Sequence, residues 1–201
     1  MKMSPLGRIM LLLTVLLAAY QIAIGVDKMG ALPIFAYTVA FGVLLVAGLL
    51  LVILGFEVLE SPAVVIISTV IPLSLSLGLV WEHLSAYRLP YAIFACLGFL
   101  AIVMTRLLPL KNRLPVAVLA VVHAVAGLVI FLLPVVWAFS GRTASGFALV
   151  GVGGALIGVG GILLVLLKAG KPLLSRQTIY QVFPGLLLMM TAAFVAGFKL
   201  G

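Results

Sequence analysis

The chain has 201 residues, 66% hydrophobic and 8% charged, with a mean hydropathy of +1.45. A soluble globular domain carries roughly a quarter of its residues as charges, so this composition excludes one and points to a bilayer. A hydrocarbon core about 30 Å thick takes about 20 helical residues per crossing, so a chain of this length holds at most seven or eight spans and no separate water-soluble domain.

Seven apolar runs occur along the chain, at about 9–26, 31–56, 63–81, 89–108, 114–139, 147–167 and 179–198, separated by short segments that collect charges, prolines and turn formers. The expected fold is an all-α, polytopic integral membrane protein with seven transmembrane helices. Lipid offers no partner to open backbone groups, and the runs lack the two-residue alternation of barrel strands.

The first run follows Lys2 and Arg8 and has the outline of a secretory signal. No A-x-A cleavage site precedes Gly25, so the run is read as a retained helix, carrying Tyr20 and Gln21. The second run, with Tyr37 and Thr38, and the fifth are long enough to tilt or to include an interfacial turn. Glu57 and Glu60 follow the second run one helical turn apart, an arrangement more often solvated than cation-binding.

The third run holds Ser68, Thr69, Pro72 and Ser76. The proline frees a carbonyl that the hydroxyls can satisfy or use, and Trp81, Glu82 and His83 beyond it read as an interfacial anchor. Cys96 in the fourth run is the only cysteine, which rules out an intramolecular disulfide, a CxxC pair and a cysteine-rich zinc site.

His123 in the fifth run is the one ionisable side chain well inside a span. It is read either as a proton-relay or substrate-bonding group or as a neutral imidazole bonded within the bundle. A bis-histidine haem would need His83 and His123 at one depth. They are expected to differ by on the order of 15 Å, so no cofactor is expected. In the sixth run Gly151, Gly154, Gly158 and Gly161 place a smooth stripe on one helix face, the pattern of close helix packing rather than chemistry, with either an internal span or another subunit as partner. The seventh run carries Tyr180, Gln181, Pro184 and Thr191.

Orientation follows from the basic residues. Lys2, Arg8, Arg106, Lys111, Arg113, Lys168, Lys171 and Arg176 fall on one side of the seven spans, against Lys28, Arg88, Arg142 and Lys199 on the other. This predicts a cell-membrane protein with its N-terminus in the cytoplasm and its C-terminus outside. The formal charge of +8, from 12 Lys and Arg against 4 Asp and Glu, is then a topology signal with lipid as the partner. A nucleic-acid footprint would need a basic face on a folded domain.

The run 46–54 matches 159–167, including a glycine at the same place, and Ser68, Thr69 and Pro72 match Tyr180, Gln181 and Pro184 in spacing. Either this is the chance similarity of a small apolar alphabet, or the chain is a parallel duplication of residues 5–84 and 112–200 joined by a linker helix at 88–108. The second plan is similar to that of sugar and vitamin carriers built as three plus one plus three helices, although none of the motifs of those families is present.

HExxH, GxSxG, a P-loop, CxxC and a carboxylate pair inside the membrane are all missing, so neither a catalytic site nor a metal site is expected. The expected function is a transporter or channel for a small neutral or weakly polar solute, with His123, Ser68, Thr69, Pro72, Tyr180, Gln181 and Pro184 as pathway-lining candidates. The alternative is a non-catalytic accessory or scaffolding subunit of a larger membrane protein complex, with other membrane subunits or a second copy of the chain as partners and the glycine stripe as a packing surface.

Overall fold

The computed structural model describes residues 3–26, 29–108, 113–168, 170 and 172–201, apart from the side chains of Glu60 and Lys168. Lys2, Lys28, Lys111 and Lys171, four of the basic residues that the orientation rests on, lie outside the described residues.

The described chain is all-α and carries seven helices long and apolar enough to cross a membrane: α1 Pro5–Ile24, α2 Ala31–Leu54, α3 Pro62–His83, α4 Arg88–Leu107, α5 Leu114–Phe139, α6 Ala148–Lys168 and α7 Arg176–Leu200. The ends follow local chemistry. Ser4 caps α1 by accepting from the Gly7 N–H at 3.0 Å, with Pro5 in the first turn, and Ser175 caps α7 by accepting from the Thr178 N–H at 3.1 Å. Both helices therefore start a turn earlier than their apolar runs. Gly25 stops α1 at φ 69° and Gly55 stops α2 at φ 74°, a backbone region that side chains disfavour. The long second run is accordingly α2 followed by a 3-10 turn, Gly55–Glu60.

Six helices close a ring. α1 packs on α2, α2 on α3, α3 on α5, α5 on α6, α6 on α7 and α7 on α1, while α4 lies outside against α3 and α5. Exchanging α1, α2 and α3 for α5, α6 and α7 turns each ring contact into another ring contact.

An odd number of spans puts the ends on opposite faces, here called the N-terminal and C-terminal faces. The apolar core is arranged differently in the two halves. Toward the C-terminal face it is one cluster drawn from all six ring helices, including Ala18, Tyr37, Phe41, Leu75, Leu79, Ile130, Val150, Met190 and Phe194. Toward the N-terminal face it is two. Leu11, Leu51, Phe56, Ile179 and Tyr180 form one, at the seam between α7 and α1. Leu73, Ala95, Ile102, Val122 and Ala126 form the other, at the seam between α3 and α5, with α4 behind it.

In a bilayer the driving force between helices is close packing rather than removal of apolar surface from water, and glycines supply it here. A Cβ added at Gly197 would lie 2.6 Å from the Val150 backbone nitrogen, and one at Gly151 would lie 2.7 Å from the Phe131 carbonyl oxygen. Such approaches are open only to glycine.

Candidate functional site

Pro72, Pro134 and Pro184 lie inside helices and are buried. Each removes one helical N–H and leaves the carbonyl four residues earlier without its usual donor: Ser68, Ile130 and Tyr180 respectively. Pro134 was missed in the sequence because it stands in an unbroken apolar run with no polar neighbour. The Ile130 carbonyl that it frees is covered by α6, where a Cβ on Gly154 would come within 3.0 Å of the Ile130 carbonyl carbon.

The hydroxyls of α3 are spent locally. Ser68 and Thr69 both donate to the Val65 carbonyl, at 3.1 and 2.8 Å, and Ser76 donates to the Pro72 carbonyl at 2.6 Å. Thr191 does the same to Leu187 at 2.7 Å. Bonding back to the carbonyl three or four residues earlier satisfies a hydroxyl in an apolar setting. Tyr180 stacks on Phe56 at 4.7 Å between centroids and 8° between planes, and its hydroxyl accepts from Arg176 Nε at 3.4 Å. Gln181, one residue on, is exposed.

His123 is half-buried on α5, nine residues from Leu114, or roughly 14 Å of helical rise from the N-terminal face. Its Nδ1 lies 3.0 Å from the Leu119 carbonyl, which fixes the ring against its own helix, and Arg106 at the end of α4 is within electrostatic reach. His83 ends α3 at the opposite face, with its ring 5.1 Å from that of Phe147. The pathway candidates therefore divide between helices. Thr69 and Pro72 sit on α3, Tyr180 and Pro184 on α7, and His123 on α5, each of which borders one of the two seams.

The glycine stripe is split. Gly151 and Gly154 are buried against α5, whereas a Cβ added at Gly158, Gly161 or, on α5, Gly127 would meet nothing within 4 Å. α5 and α6 thus touch backbone to backbone near the C-terminal face and part toward the N-terminal face, leaving Gly158 and Gly161 exposed. The glycine shared by the two matched runs also differs in setting. A Cβ on Gly48 would lie 2.8 Å from a Val15 methyl group, and one on Gly161 would stand in open space.

A second polar group lies nearer the C-terminal face. Gln21 on α1 and Tyr37 on α2 are 3% and 1% exposed. Gln21 Nε2 donates to the Gly25 carbonyl at 2.6 Å, while Gln21 Oε1 and Tyr37 Oη are buried without a partner among the described residues. Both residues line one cavity of about 10 Å³, together with Ile22, Gly25, Val26, Ile34, Thr38 and Phe41. The sequence offered Gln21, Tyr37 and Thr38 only as unconnected polar residues, because nothing in the order of α1 and α2 fixes the register at which they meet.

Glu82, at the end of α3, accepts from the Gly30 N–H at 3.4 Å and is within electrostatic reach of Tyr37 and His83. Arg88 donates from Nε to the Trp81 carbonyl at 2.6 Å and stands 5.7 Å from the Trp81 ring, a cation–aromatic pair suited to headgroup depth. Compared with known proteins, the chain matches no family model, no curated protein and no solved structure.

Proposed function

We propose that this multi-spanning membrane protein is a small transporter for a neutral or weakly polar solute, oriented with its N-terminus in the cytoplasm. The observation that carries the reading is the division of the core. Two clusters, one on each seam of the six-helix ring, pack separately in the N-terminal half, while a single cluster drawn from all six ring helices fills the C-terminal half. Two separately packed bodies sharing one hinge region are what alternating access by rocking requires. The invariance of the ring contacts under exchange of its halves supports the duplication of 5–84 and 112–200 around the linker helix.

In this reading the path runs between the seams. Ser68, Thr69 and Pro72 on α3, Tyr180, Gln181 and Pro184 on α7, and His123 on α5 are its polar and kinked borders, with residues such as Thr69 released from their own helix when the bodies rock. The near absence of charge inside the bundle selects a neutral cargo, since a charge at mid-membrane costs at least about 2.5–3.5 kcal/mol without a partner. Reconstitution into liposomes tests the proposal: solute flux above that of empty liposomes, reduced by His123→Ala or Gln181→Ala, is expected.

A second reading, an accessory subunit of a larger complex, is favoured by one observation. Gly158 and Gly161 are exposed, and a Cβ added at either would meet nothing within 4 Å among the described residues, which is how a seat for another membrane helix would look. Extraction in mild detergent separates the two: stoichiometric partners would support this reading, and a lone monodisperse protein would contradict it.

A further inference from the structure

Gln21 and Tyr37 present a pair of hydrogen-bonding needs left unmet among the described residues. Gly25 contributes a carbonyl, which only accepts, so the Gln21 amide must turn its nitrogen toward Gly25 and its oxygen away. That oxygen can only accept. Tyr37 Oη is a donor that can also accept. Both atoms are buried and have no hydrogen-bond partner among the described residues, a state that costs about 1–3 kcal/mol per group if left unmet.

The residues border one cavity of about 10 Å³, near the least volume that takes a single water-sized group. The walls are otherwise apolar apart from Thr38 at the exposed edge, whose hydroxyl already donates to the Ile34 carbonyl at 2.8 Å and keeps its lone pairs.

We infer that this cavity is a recognition site for one neutral hydroxyl group, which donates to Gln21 Oε1 and accepts from Tyr37 Oη. A hydroxyl is both donor and acceptor, fits the volume and leaves no charge behind. A water molecule and the terminal hydroxyl of a small polyol share this chemistry. The site itself rests on the two orphaned atoms. Its role as a substrate subsite near the C-terminal face rests on the transport reading above.

The sign of one stability change tests the site independently of transport. Removing an unmet hydroxyl by Tyr37→Phe raises stability, whereas removing one that holds a bound group lowers it. A fall in the melting temperature of purified Tyr37→Phe protein, by about 2–4 °C, is expected, and a rise overturns the site. Gln21→Met should couple to Tyr37→Phe in a double-mutant cycle because both hold the same group, and additive losses overturn the shared group.

Stopped-flow shrinkage of proteoliposomes under sucrose, glycerol and sodium chloride gradients then assigns the role. Water or glycerol flux falling roughly tenfold in Tyr37→Phe supports a substrate subsite and tells the two sources apart, while flux unchanged by the substitution overturns that role. A melting temperature raised by sodium ions in wild type but not in Tyr37→Phe overturns the neutral chemistry. Coupled losses of stability with no wild-type flux for any solute leave the site standing and remove the transport reading.

Discussion

Tyr37 of α2 lies against the backbone of α3 at Gly78: a Cβ added there would stand 2.5 Å from Tyr37 Cε1 and 2.8 Å from Cζ. On its other side the Tyr37 ring meets Phe198 of α7 at 4.6 Å and 45°. One side chain thus ties three ring helices together in the half where the core is continuous.

This contact makes Gly78→Ala the most informative packing substitution. The ring is rigid and fully enclosed, so the added methyl forces α2 and α3 apart. A loss of about 1–3 kcal/mol is expected, read as a lower melting temperature in detergent with α-helical circular dichroism retained below the transition. An unchanged melting temperature would mean that Tyr37 is not held against α3.

The split of the glycine stripe predicts unequal tolerance within one helix. Gly154→Leu drives a side chain into the α5 backbone and should leave little monodisperse protein. Gly158→Leu enters open space and should purify as wild type does. If Gly158→Leu collapses the isolated chain instead, α5 and α6 stay in contact along their whole length. If it purifies normally but loses a co-purifying partner, the accessory reading gains.

Cys96 reports on α4, the helix outside the ring. Its side chain is exposed on the bundle surface, eight residues from Arg88 and eleven from Leu107, which places it near mid-membrane. A thiol in lipid is out of reach of a charged, water-borne reagent. A charged maleimide should therefore leave Cys96 unlabelled in intact membranes and modify it after denaturation in SDS. Rapid labelling of the native protein would instead place that face of α4 against water.

The span count and positions were legible in the sequence because hydropathy and length are local properties. Helix ends were legible to within a turn, the error arising where capping by Ser4 and Ser175 carries a helix past its apolar run. Pairings were not legible. The sequence singled out Gly151 and Gly154 as a packing stripe but could not say that Phe131 and Ile130 are their partners. It also gave no sign that Gly78 and Gly197 are closer to a neighbour than Gly158 is. Likewise Gln21 and Tyr37 are ordinary residues until α1 and α2 bring them to one cavity. Close approach and unmet hydrogen bonding arise between helices, and a single linear order carries neither.

The proposed transport is tested most directly by flux in liposomes that hold only this protein. Wild type is expected to carry at least one neutral solute from a broad panel faster than empty liposomes do, and His123→Ala, with the fold retained, to slow it. Flux of purified, correctly folded wild type no greater than that of empty liposomes across the whole panel would contradict it.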